Sequence, residues 1–192
     1  MIGRVLLLSW AVIVLPGCSS RACTNAVVSA QRNASGVSLH YDMRVGCVSV
    51  THDLTGINGA IASAQASLAS WSAVAGMPVC FTTLTGRLDA PEDPADRRIH
   101  FELSTTQPVS ASVRSYSNDD TGVISHGIID LGYTALPSNP EMVRLVGLAL
   151  GLSGAPGGAS SVMASPVVVA APTADDVDAI SKLYDATCLA GH

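Results

Sequence analysis

Large aromatic side chains are scarce: two Trp, four Tyr and two Phe make up 4% of 192 residues. That leaves few anchors for a core and few flat surfaces for stacking on sugars. Charge is thin as well, at 13% of residues, and its balance is −5. A mildly acidic chain lacks the basic footprint that nucleic acid demands, so no nucleic-acid partner is expected. Apolar runs are short. Val5–Leu15 stops well before the roughly 20 residues that span a bilayer. The run Met142–Leu152 is broken by Ser153-Gly154-Ala155-Pro156-Gly157-Gly158 at a similar length. Among Cys23, Cys47, Cys80 and Cys188 no two are close in sequence, a spacing that does not suit a zinc knot. No internal repeat is visible. Gly151-Leu152-Ser153-Gly154-Ala155 is not a nucleophile elbow, and Ser153 reads as a turn residue.

What is present begins with a compartment signal. Arg4 precedes the apolar run Val5–Leu15, which has the length of a secretory core segment. It ends in Leu15-Pro16-Gly17-Cys18, which resembles the lipobox of bacterial lipoproteins, where the chain is cut before a cysteine that becomes lipidated. The alternative is an ordinary signal peptide, cut a few residues later, with a chance cysteine. Ser19 after the cysteine resembles lipoproteins sent to the outer membrane. The expectation is a signal peptide over residues 1–17, a tether or N-terminal arm over 18–40, and one domain over 41–192. The protein would be exported and anchored to the bacterial envelope through the Cys18 lipid. About 175 residues would remain, enough for one real core.

With Cys18 lipidated, Cys23, Cys47, Cys80 and Cys188 form an even set, which implies two disulfides. Four cysteines allow three pairings. The favoured one joins Cys47 to Cys80 across neighbouring strands and Cys23 to Cys188, tying the arm to the last helix.

Along the chain, Val45–Val50 reads as a strand. Ile57, Ile61, Ala64, Leu68 and Trp71 then repeat at helical spacing, with Asp53 or Thr55 as candidate cap and Gly76 and Pro78 as the stop. Val79–Thr83 reads as a second strand, and 86–98 as a charged, proline-punctuated loop. Arg98–Leu103 is a strand in which Ile99, Phe101 and Leu103 alternate, which puts His100 on the solvent side. Asn118–Gly122 is a turn and Val123–Leu131 a further strand. Asn139-Pro140 opens a helix, or Ser138 and Glu141 form its capping box. The helix Met142–Leu152 is apolar nearly all round except at Arg144, as a buried helix is. Thr173, Asp175 and Asp176 open a last helix, with Val177, Ile180, Leu183 and Tyr184 on its apolar face.

Taken in order, these pieces resemble matrixin-like metzincins, a zinc metalloprotease family. The quoted pieces are Cys47-Val48, a helix ending in Trp71, Val79-Cys80-Phe81 and Ile99-His100-Phe101. Thr121-Gly122-Val123-Ile124, a Met-turn at Ser161-Val162-Met163, and the closing helix from Thr173 to Tyr184 complete the set. The resemblance covers roughly residues 45 to 187. It implies an α+β, zincin/metzincin-like fold: a twisted, mostly parallel sheet, a long N-terminal helix, a buried former active-site helix and a C-terminal helix. The family motif is His-Glu-x-x-His-x-x-Gly-x-x-His. Laid on Arg144–Gly154, its histidines fall on Arg144, Leu148 and Gly154 and its glutamate on Leu145; only Gly151 matches.

The consequence is chemical. Zinc needs imidazole, thiolate or carboxylate donors, and none of Arg144, Leu148 and Gly154 supplies one. Leu145 offers no general base. The degenerate motif implies a pseudoprotease with no cofactor. Arg144 either snorkels to water, pairs with Glu141 or Asp130, or binds a carboxylate in the old cleft. His40, His52, His100, His126 and His192 are scattered, and no spacing joins them into a site. His126 and Asp130 share a strand face at a distance. Three roles follow from the resemblance. The first is binding of an extended peptide or an envelope protein along an edge strand. The second is hydrolysis with a relocated metal, and the third a purely structural envelope role.

Overall fold

The computed structural model describes residues 28–86, 97–106, 108 and 110–185. The proposed signal peptide, Cys18, Cys23, Cys188 and His192 lie outside the described residues. The architecture is α+β, with a five-stranded twisted sheet and three helices. In chain order the elements are β1 (Ser49–Asp53), α1 (Ala60–Ser72), β2 (Thr85–Gly86), β3 (Arg98–Leu103), β4 (Ser112–Ser117), β5 (Ile124–Leu131), α2 (Asn139–Ala149) and α3 (Ala174–Leu183). The sheet order is β2-β1-β3-β5-β4. All neighbours are parallel except β4, which runs antiparallel to β5 at the edge.

The register gives the sheet two unlike faces. Val50, Ile99, Phe101, Ile129 and Leu131 share one face, toward α2. There Gly127 sits so close to Ala149 and the Tyr41 hydroxyl that a Cβ would reach that oxygen at 2.7 Å. The other face is polar, carrying Thr51, Arg98, His100, Glu102, Arg114 and Asp130.

Local chemistry explains where elements start and stop. The expected strand from Val45 begins only at Ser49, because Met43–Val45 forms a 3-10 turn capped by Asp42 and Gly46 follows at φ +116°. Val79–Thr83 makes one bridge, Val48 to Phe81, rather than a full strand. The Thr82 hydroxyl, not a main-chain carbonyl, takes the Val50 N–H at 3.0 Å, and this ends the ladder. Cys47 and Cys80 flank that bridge and are joined by a disulfide with their Cα atoms 4.7 Å apart. β4 was not legible: Ser112–Ser117 has no fully buried residue and therefore no apolar signal.

α1 starts at Ala60 rather than Ile57. Gly59 caps it in a left-handed conformation, so neither Asp53 nor Thr55 does. Its buried face is Ala60, Ala64, Ser67, Leu68 and Trp71, while Ile61 turns outward. The Trp71 indole donates to the Val143 carbonyl at 2.8 Å and locks α1 onto α2. Ser138 caps α2, accepting from the Glu141 N–H at 3.4 Å, with Pro140 in the first turn. α2 stops at Ala149, before the expected Leu152, because Gly151 (φ +95°) turns the chain. A Cβ there would lie 2.1 Å from the Leu39 carbonyl oxygen, so only glycine fits.

Residues 28–40, expected as the end of a tether or N-terminal arm, pack into the core: Val28 is fully buried and Leu39 nearly so, beside the fully buried Tyr41. Gln31 donates from its side chain to the Leu148 and Leu152 carbonyls, both at 2.8 Å. It thereby satisfies the open carbonyls at the end of α2.

Candidate binding site

Of the positions laid on the family motif, Arg144, Leu145 and Leu148 lie on α2, and Gly151 and Gly154 follow it. Leu145 is buried in the core, and Leu148 and Arg144 are half-buried. The Arg144 guanidinium donates to Glu141 at 2.9 Å, one of the partners expected for it. Its Nε is enclosed and unpartnered. Asp130, the other partner expected, pairs with Arg114 instead.

Beyond Gly151 the chain passes Gly154, and Ala155 N–H donates to the Met163 carbonyl at 2.9 Å. Met163 is fully buried beneath α2. Gly147 lets it in: a Cβ at Gly147 would stand 2.5 Å from Met163 Sδ and 2.8 Å from the Trp71 ring. The turn at Ser161–Met163 is held by Asp176 of α3. That carboxylate, fully buried, accepts from Ser161 Oγ (2.5 Å), Val162 N–H (3.0 Å), Thr173 N–H (2.8 Å) and Thr173 Oγ1 (2.8 Å). Asp176 thus closes the capping box of α3 and fixes the methionine turn at once. Ser161, buried with it, was legible only as a turn residue.

Further along, the Tyr184 hydroxyl donates to the Leu150 carbonyl at 3.0 Å and accepts from the Tyr41 N–H at 3.2 Å. Burial pushes both phenols well above their ordinary values. They are neutral structural hydroxyls.

The histidines do not converge. His100 was expected on the solvent side and is buried, because β3 is the middle strand and His100 sits in register between Thr51 and Ile128. Its Nδ1 lies 2.8 Å from Thr51 Oγ1, and its Nε2 4.0 Å from Glu102. His126 meets the Tyr116 ring edge-on, with centroids 6.0 Å apart. His40 lies near Ser38 and Tyr184, and His52 accepts the Leu54 N–H at 3.4 Å. Among the described residues no three His, Cys, Asp or Glu side chains are grouped to hold a metal ion.

Sequence reasoning missed a cleft of about 620 Å³ on the polar face, at the C-terminal ends of β1 and β3. Asp53, Glu102 and Asp130 line it, with Arg114 from β4 and hydroxyls such as Ser104 and Ser112. Arg114 donates from Nε and Nη2 to Asp130 (2.8 and 3.0 Å) and from Nη2 to Glu102 (2.8 Å). Burial, the largest single influence, works to raise the Asp130 carboxyl, but hydrogen bonds from Arg114, Glu102 and Ser112 and the Arg114 charge together hold it below the ordinary value. Arg114 is held above its own ordinary value by its hydrogen bonds to Asp130. The signal available was Arg114 itself, the lone charge in a serine-rich segment.

No helix among the described residues is long and apolar enough to cross a membrane. No family model matches the sequence, and no curated protein matches it.

Proposed function

We propose that this chain is a pseudoprotease of metzincin-like fold, exported and anchored to the bacterial outer membrane by a lipid on Cys18. It holds an extended peptide, or an extended segment of an envelope protein, and catalyses nothing. One observation carries the reading. Helix α2, the turn at Gly151 and the turn at Ser161–Met163 pack together, which supports the resemblance, and Leu145, overlaid on the motif's glutamate, is buried. Arg144, Leu148 and Gly154 offer no donor to zinc. The edge strand β4, antiparallel in an otherwise parallel sheet and in contact with α2, suits strand addition. A second reading, a purely structural envelope lipoprotein, is favoured by the burial of Met142 and Leu145 in the core.

Hydrogen exchange on the exported chain separates the two. A displayed library of extended peptides is selected against the protein, and an enriched peptide is added back. Strand addition predicts slowed exchange confined to β4 amides. Failure to enrich any sequence, or slowing elsewhere with β4 unchanged, contradicts the binding role and favours the structural one.

A further inference from the structure

The described chain starts beside a surface that carries no charge. Ser29 and Ala30, just after Val28, pair with the residues beyond α2: Ser153 N–H donates to the Ser29 carbonyl at 2.6 Å, and Ala30 bridges Leu152. Two residues past Ser153, Ala155 bridges Ala164, and a Cβ on Gly157 would stand 3.4 Å from the Ser165 carbonyl. Residues 28–30 and the segment 165–172 are therefore neighbours on one side of the domain. Residues 145–174 include no Asp, Glu, Lys, Arg or His. Pro156, Pro166, Val168, Ala170 and Ala171 are exposed there. Val167 and Val169 pack against the core and so hold Val168 outward. At 63% it is the most exposed large hydrophobic side chain among the described residues. A single exposed valine needs no explanation, but one centred in a charge-free surface does.

The point of attachment says what meets this surface. Cys18 stands ten residues before Val28 and so lies within about 36 Å of it, less than the roughly 40 Å breadth of a domain this size. A bilayer held by so short a connection faces the side where the connection joins. We propose that the loop over residues 166–171 is a second membrane contact, resting in the headgroup layer of the bilayer that holds the Cys18 lipid and fixing which way the domain faces. It depends on the lipid anchor at Cys18. The backbone of residues 167–171 makes no hydrogen bond with the described residues, so the loop stops in the wet headgroup layer, where those groups stay hydrated. Valine, proline and alanine attract lipid weakly, and the anchor supplies the high local concentration that makes the contact form. With no basic side chain in the loop, the contact does not require anionic lipid.

Bromine quenching of tryptophan tests the proposal. The full chain is expressed with residues 1–17 in place, purified, and reconstituted into phosphatidylethanolamine vesicles with plain or brominated acyl chains. Val168→Trp puts a reporter on the loop. Ile61→Trp puts the same ring on α1 as a control, near the start of α2, where Ser63 meets Asn139. The loop follows the other end of α2, about 16 Å along the helix. Both positions are exposed, and Ala170→Trp carries the test should Val168→Trp misfold. Quenching is read relative to the parent, whose Trp71 is fully buried. The loop reporter loses at least about half its added emission in brominated vesicles, and the α1 reporter almost none. Equal quenching of both reporters, or of neither, overturns the proposal. So does loop emission that shifts with protein density but ignores bromine, which would put a second copy on the loop. Mass spectrometry of Cys18 and vesicle flotation check the anchor separately. A floating, acylated chain with an unquenched loop reporter refutes the loop contact alone, and an unacylated chain refutes the anchor and the contact together.

Discussion

Replacing Asp176 separates a tie between two elements from a mere helix cap. Four donors converge on its carboxylate: Ser161 Oγ, Val162 N–H, Thr173 N–H and Thr173 Oγ1. In Asp176→Asn the amide oxygen keeps the three donors now on Oδ2, and Ser161 turns its hydroxyl to accept from the new NH2. The loss is the difference between charge-assisted and neutral hydrogen bonds, about 1–2 kcal/mol. In Asp176→Ala all four donors lose their acceptor. Thr173 Oγ1 still has the Ser160 carbonyl at 2.9 Å and Thr173 N–H is only part-buried. Ser161 and the Val162 N–H have no route to water. Two buried donors at roughly 1–3 kcal/mol each, plus the lost cap at roughly 1, give about 3–7 kcal/mol. At roughly 2–4 °C per kcal/mol, Asn lowers the melting temperature by a few degrees and Ala by about 6–28 °C. Scanning calorimetry, with tryptophan fluorescence reporting Trp71 beside the Met163 turn, reads both. Equal, small losses in the two variants would refute the tie.

Other perturbations follow from the same structure. Gly151→Ala combines a φ of +95° with a Cβ 2.1 Å from the Leu39 carbonyl, and should cost more than about 3 kcal/mol in urea unfolding. Gly147→Ala gains about 1 kcal/mol of helix propensity but presses on Met163 and the fixed Trp71 ring, so a net loss of about 1–2 kcal/mol is expected. Cutting the disulfide with Cys47→Ala and Cys80→Ala releases a loop with a separation of 33 and lowers stability by about 3–4 kcal/mol. The pH response has a definite sign. Asp130 titrates below its ordinary value, so its pairing with Arg114 stabilises the fold above about pH 4 and is lost as pH falls through the lowered value. Arg114→Met leaves Glu102 and Asp130 facing each other unneutralised. Its stability deficit against the parent should be largest at neutral pH and shrink on acidification, and a deficit that does not vary with pH would contradict the ion cluster. Asp42, held at about 2 mainly by its hydrogen bond from Arg44, adds a surface contribution lost over the same acid range.

Elements with their own local chemistry were legible in the sequence. α3 announces itself through Thr173 and Asp176, and β3 through alternating Ile99, Phe101 and Leu103. α2 was legible as a buried helix because its apolar residues cover nearly every side. What stayed hidden depends on partners distant in sequence. β4 is a strand because β5 pairs with it, not because Ser-Val-Arg-Ser-Tyr-Ser prefers to be one. His100 is buried by strand order, which alternation along a single strand cannot reveal. The Asp53–Glu102–Asp130 row exists only once three strands are in register. The Asp176 tie to Ser161 required the turn and the helix to meet.

Zinc content tests most directly the proposal that this chain is a protease-like scaffold without its metal ligands. The chain is dialysed against zinc, washed free of loose metal and assayed by elemental analysis. With Arg144, Leu148 and Gly154 at the ligand positions, less than about a tenth of an equivalent should remain. A value near one equivalent would mean that other side chains hold the metal, and would contradict the pseudoprotease reading outright.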